Sequence, residues 1–196
     1  MMKKDIIGLA KDALEVGIDA LLSDGLLKDI PIINTINSIY NISNSISDKL
    51  LFNKIKKFLL ELNTLTSEER IKLFEKLEKE PKLKQKTSIY ILELFNKIDD
   101  ENKATMIFKV FQAYNNEEID YETFYRLNKV IKEISPIDIN KVRNIKNEFN
   151  SRSKDFDLLN LFENINLIRV ESNMDGNIYY RTKICKIFIE LNLDES

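Results

Sequence analysis

Helix breakers are scarce in this chain: four glycines and three prolines are spread over 196 residues. Left-handed turns and fixed-φ corners draw on those two residue types, so few long loops can be built here. Most of the remainder is Lys, Glu, Leu, Ile and Asn, and helix is the least costly ordered state for the first four. With 43% hydrophobic and 32% charged residues, the chain suits one sizeable core, or a domain with a small appendage. The net charge is −2. That balance argues against a protein built mainly to coat nucleic acid or anionic lipid, which would need a clear basic excess.

Cys185 is the sole cysteine, so no intramolecular disulfide can form and a reducing cytoplasm is the expected compartment. Met1 to Lys4 lead into a run broken by Lys11, Asp12, Glu15 and Asp19, which is not a secretory signal. No stretch reaches the roughly 20 apolar residues that a membrane-spanning helix needs. Lys outnumbers Arg 24 to 6 and Ile and Asn abound, the composition of AT-rich coding DNA. A low-GC bacterium or its mobile elements is the expected source.

The first helix is expected over Asp5 to Leu22, its charges gathered in one narrow stripe. Ala10, Ala13, Gly17 and Ala20 recur at spacings of three and four and share a face that another backbone can approach closely. That face fits a tight seam inside a bundle, a self-association seam between copies, or a membrane contact. From Ile30 to Ser47 there is no charge. Ile32, Ile36, Ile39, Tyr40 and Ile46 form one side of this segment, and Asn and Ser residues the other. It is either a buried helix or one that contacts a partner or a membrane. A basic amphipathic stretch follows, with Lys49, Lys54, Lys56 and Lys57 around Leu50, Phe52, Ile55, Phe58 and Leu59.

Each following helix carries a start signal. Thr66-Ser67-Glu68-Glu69 is a capping box. Pro81 opens a helix through Phe95, Asp99 or Asp100 caps one through Tyr114, and Asp120 caps Tyr121 to Ile134. Their apolar positions (Leu73 and Leu77, then Ile91, Leu94, Phe95 and Ile98, then Ile107, Val110 and Phe111, then Phe124, Leu127 and Ile131) keep helical spacing and are expected to face one core. Ser135-Pro136 is expected to start a helix through Phe149. The tail then changes character. A short helix over Asp155 to Asn164 precedes two strand-like runs, Leu167 to Glu171 and Ile178 to Arg181, joined by a turn containing Asp175-Gly176. Thr182 caps a last helix. The expected fold is mainly α: a helical bundle over 1–134 and a small α+β unit with one β-hairpin over 135–196.

Catalytic signals are lacking. Histidine is absent, which removes the commonest neutral-pH base and metal ligand. Cys185 sits beside Ile184 and Ile187 on an amphipathic helix and reads as core. No glycine-rich phosphate loop or serine elbow occurs. Ile119-Asp120-Tyr121-Glu122-Thr123-Phe124 mimics half of a calcium loop, but Thr123 stands where a bidentate Glu is required, so Asp120 is read as a helix cap. No enzyme, metal or cofactor is expected.

Leu158-Leu159-x-Leu161-Phe162-x-x-Ile165-x-Leu167-Ile168-Arg169-Val170, then a Gly-containing hairpin and Tyr180-Arg181-Thr182, resembles the end of bacterial winged-helix domains over roughly Ile137 to Leu193. The resemblance implies a helix leading into a two-stranded wing and a final Thr-capped helix. Asn166 departs from the usual Gly of that pattern, and Cys185 from another. It also implies that the helix before the wing would read DNA, yet that helix carries Asp155, Asp157 and Glu163, which phosphate repels. Arg126 to Lys186 hold twelve basic against eight acidic residues, an excess compatible with weak electrostatic contact. Arg169, Arg181 and Lys183 are the candidate phosphate contacts.

Asp29-Ile30-Pro31-Ile32-Ile33, the Leu50 to Leu62 stretch and Ile119 to Phe124 together resemble a type of small helical bacterial protein found with mobile elements and phage-defence loci. The expected role is a non-catalytic interaction protein of bacterial or prophage origin, acting in phage defence by oligomerisation or by binding a protein partner. Two rival readings stand beside it: a membrane-active effector inserting its N-terminal helices, cytoplasmic until triggered, and a winged-helix DNA-binding regulator.

Overall fold

The computed structural model describes residues 46–70, 72, 81–150, 156–174 and 176–195. The expected helix over Asp5 to Leu22 and the expected segment Ile30 to Ser47 as far as Ser45, with Ala10, Ala13, Gly17, Ala20, Ile32, Ile36, Ile39 and Tyr40, lie outside the described residues, while Ile46 and Ser47 begin a described helix. Leu73 and Leu77 also lie outside the described residues. Close contacts divide the chain into Met1–Lys97 and Ile98–Ser196. The expected boundary lies after Ile134. In the structure, the helices from Ile98 to Ile134 group instead with the C-terminal elements.

In the first unit, helix α1 (Ile46–Thr64) packs on α2 (Pro81–Lys97). Ile55, Phe58, Leu59 and Leu62 recur at spacings of three and four and are buried, opposite Ile91, Leu94 and Phe95. The rings of Phe58 and Phe95 meet edge to face, centroids 5.4 Å apart. Lys54 lays its stem in the same seam, and its Nζ donates to the Phe95 carbonyl at 3.1 Å. After α1 the capping box forms as the residues dictate. The Thr66 N–H donates to Glu69 Oε2 at 2.8 Å, and the Glu69 N–H donates back to Thr66 Oγ1 at 3.2 Å. Those bonds to Thr66 hold the Glu69 carboxyl below the usual range.

The second unit is built on the pair α3 (Asn102–Asn115) and α4 (Tyr121–Glu133). Neither Asp99 nor Asp100 stands at the N-cap of α3, where Glu101 sits without a side-chain bond. Asp100 instead accepts the Asn102 N–H at 2.7 Å, and Asp99 bonds the Lys103 ammonium. Asp120 does cap α4, accepting the Thr123 N–H at 2.7 Å; the Thr123 side chain first, and then this backbone bond, lower its pKa. Phe124, Leu127, Val130 and Ile131 of α4 are buried.

The segment after Pro136 departs from the expected α-helix through Phe149. It is a 3₁₀ helix, Pro136–Asn144, followed by a short strand β1 (Glu148–Asn150). Ile139, Val142 and Ile145 are buried at intervals of three, the period of a 3₁₀ helix, and Ile137 stays 73% exposed. The remaining elements fall where the sequence put them: α5 (Phe156–Asn164), β2 (Ile168–Asn173), β3 (Gly176–Arg181) and α6 (Lys183–Glu190), ending in a 3₁₀ turn at Leu193–Glu195. The hairpin β2–β3 gains β1 as a third antiparallel strand, in the order β1-β3-β2. Gly176 opens β3 at φ +125°, a conformation costly for any other residue. The fold is thus mainly helical, with a small α+β unit at its end.

Candidate functional site

The tail builds its wing from local rules. Leu167 donates its N–H to the Phe162 carbonyl at 2.8 Å, and Asn166 to that of Glu163 at 2.9 Å, a Schellman ending for α5. Asn166 occupies the left-handed position, φ +64°. The winged-helix pattern has Gly there, and Asn is the next most tolerant residue, so the departure noted in the sequence is absorbed by backbone chemistry. Thr182 caps α6, accepting the Cys185 N–H at 3.1 Å, while its hydroxyl meets the Asn166 carbonyl at 2.7 Å. The helix end and the next helix start are therefore pinned to each other across the hairpin.

The structure separates the three candidate phosphate contacts. In the register Ile168↔Arg181 and Arg169↔Tyr180, neighbours in the chain lie on opposite faces, so Arg169 and Arg181 do too. Arg169 stands on the outer face with its guanidinium 4.7 Å from the Tyr180 ring centroid, and its Nη1 lies 2.8 Å from Glu171. A carboxylate already answers that charge. Arg181 shares its face with buried Ile168 and Tyr179 and is itself half-buried. Lys183, in the first turn of α6, is exposed and lies close enough to Asp120 to favour its charged form. The helix before the wing exposes Asp157 and Glu163. Only five residues separate β1 from α5.

Among the described residues, two open clefts of about 330 Å³ each indent the second unit. The first lies between the starts of α4 and α6 and is lined by Asp120, Glu122, Arg126, Asn166, Thr182 and Lys183 among others. Its two carboxylates and two cations offset each other. The second is lined by residues of α3 and the end of α6, including Lys109, Gln112, Asn116 and Asn192. Its rim is held by Lys109, whose Nζ donates to the Asn192 carbonyl at 2.8 Å. Neither cleft collects a base, a nucleophile and an oxyanion donor in mutual reach. Among the described residues no cluster of acidic, Cys or His side chains is placed to hold a metal ion, and no helix is long and apolar enough to cross a membrane.

Below the second cleft the C-terminus is clamped. The Arg143 guanidinium takes Asp194 in a two-pronged grip, one prong at 3.0 Å from Nη2, and also reaches Glu195 at 2.9 Å. The Asp194 side chain is only 2% exposed. Its burial alone would raise the carboxyl pKa, but the bonds and charge of Arg143, aided by Lys109, bring it below the usual range. Nothing in the sequence pattern announces this clamp. Cys185 is wholly buried, and that burial pushes its thiol up to about 11, so it is a packing residue.

No protein-family model, no curated protein and no solved structure matches this chain.

Proposed function

We propose that this chain is a non-catalytic interaction protein of bacterial or prophage origin, acting in phage defence by self-association or by binding a protein partner through its C-terminal unit. The observation that carries the reading is the charge at the wing. Helix α5 exposes Asp157 and Glu163, and exposed Arg169 is already paired with Glu171 and stacked on Tyr180. Such a surface gains little from a polyanion and suits a partner of mixed charge. Large apolar side chains stand on the same unit without cover: Phe156 is 59% exposed, Ile137 73% and Met174 fully exposed. Protein partners bury side chains of this kind as anchors.

Phage challenge of cells expressing the full chain tests the reading. Wild type is expected to lower plating efficiency for at least one phage. Phe156→Lys and Ile137→Lys, which alter exposed positions, are expected to lose protection while keeping the wild-type unfolding midpoint. Equal plating on expressing and empty cells across a broad phage panel, or protection untouched by both substitutions, contradicts it.

A further inference from the structure

Among the described residues strand β2 is a sheet edge, and its backbone groups can be assigned a direction. Thr182 donates its N–H to the Leu167 carbonyl at 3.1 Å, which makes Leu167 and Thr182 a bonded pair of the antiparallel ladder. Bonded and non-bonded pairs then alternate along the register. Arg169 and Glu171 aim their N–H and C=O groups at β3. Ile168, Val170 and Ser172 aim theirs away from it. The other side of β3 agrees: Arg181, opposite Ile168, donates its N–H toward β1, to the Asn147 carbonyl at 3.0 Å. Among the described residues β3 is the one strand paired with β2. Three alternate residues of β2 therefore present donors and acceptors at the edge.

Natural edge strands usually defend themselves with charged side chains, lysine above all, or with proline. This edge carries exposed Arg169 and exposed Glu171, one of each sign, flanking half-buried Val170. We propose that the edge takes the same edge of a second copy of this chain, β2 against β2 antiparallel about a two-fold axis at Val170. In that register Val170 faces Val170 and Ile168 faces Ser172, and each facing pair exchanges two N–H···O bonds. Arg169 of each copy stands opposite Glu171 of the other, in the non-bonded pairs where side chains approach most closely. The bonding pattern allows a slip of two residues either way. One slip sets Arg169 against Arg169, the other Glu171 against Glu171, and like charges directly opposite destabilise. The order of signs along the strand thus selects both the register and the occupant: a strand matching it needs an acid and a base flanking a central residue, and β2 itself has them. Tyr180 holds the Arg169 guanidinium over the sheet, 4.7 Å from its ring centroid, so the arginine is partly ordered before pairing.

This surface shares no residue with the stripe expected at Ala10, Ala13, Gly17 and Ala20, and it gives the self-association arm of the proposed function, on which the pairing rests in part, a defined site. Sedimentation equilibrium of the full chain from micromolar to millimolar concentration tests it. A reversible dimer is expected. Arg169→Glu and Glu171→Arg are each expected to weaken it about tenfold, since both facing charge pairs turn repulsive. The combined swap, Arg169→Glu with Glu171→Arg, is expected to restore it. Val170→Pro deletes an outward N–H and spares the ladder to β3, so it is expected to abolish the dimer. Amide exchange at Ile168, Val170 and Ser172 should slow as concentration rises. A monomer at every concentration overturns the pairing, as does a dimer that the charge reversals leave unchanged or one that Gly17→Leu alone dissolves. In either of the last two cases the broader reading of an interaction protein survives.

Discussion

Lys103 and Ile134, 31 positions apart, meet where α4 ends: the wholly buried ammonium of Lys103 donates to the Ile134 backbone carbonyl. It also bonds Asp99 at 2.6 Å, whose carboxylate stays 59% exposed. A buried charge is tolerated only when hydrogen-bonded and paired, and here one side chain closes the last turn of α4 onto the start of α3. Lys103→Met keeps the stem and removes the donor. It is expected to cost about 1–3 kcal/mol, the usual penalty for an orphaned buried carbonyl. Urea unfolding checks this; a midpoint equal to wild type would show that the bond contributes nothing.

Asn166 makes a sharper test of local backbone chemistry. At φ +64° it stands where glycine is unstrained and a β-branched residue is not. Asn166→Gly is expected to be neutral or slightly stabilising. Asn166→Val is expected to cost about 1–2 kcal/mol. Equal stabilities for the two variants would contradict the left-handed helix ending.

The clamp between Arg143 and Asp194 predicts a pH dependence. Its carboxyl titrates lower in the folded chain than the ordinary aspartate, so the folded state holds fewer protons there. The stability it contributes is complete above the ordinary aspartate range and fades as pH falls through that range toward the folded value. Asp194→Asn is therefore expected to lower the unfolding midpoint by a few degrees at neutral pH and to flatten the acid limb of the stability curve. An unchanged acid limb would count against the clamp.

Cys185 should behave as buried apolar volume. With the thiol pushed up to about 11, modification by a disulfide reagent at neutral pH is expected to be slow in the native chain and immediate in denaturant. Rapid reaction of native protein would show that the C-terminal core opens readily.

What the sequence disclosed and what it hid follow physical lines. Local rules were legible: the Thr66–Glu69 box, the caps at Asp120 and Thr182, α5 and the hairpin all stand within a residue or two of their signals. The third strand was missed because three residues carry no period. Pro136 is a generic start signal that does not separate α from 3₁₀ helix, and only the spacing of Ile139, Val142 and Ile145 does. The burial of Lys103 and Asp194 carries no local signal, since the Ile134 carbonyl and Arg143 that meet them are distant in sequence. The three candidate phosphate contacts were close along the chain, but strand alternation sent Arg169 and Arg181 to opposite faces. The free edge of β2 needed the register itself.

Binding of the full chain to duplex DNA tests the central claim, that the C-terminal unit meets protein and does not read nucleic acid. With fluorescently labelled duplexes of several sequences at physiological salt, the expected affinity is no tighter than the non-specific range of about 10⁻⁴–10⁻⁶ M, with no preference among sequences and a shallow salt dependence. Sequence-selective binding well below that range, abolished by substitutions within 156–164, would contradict the account.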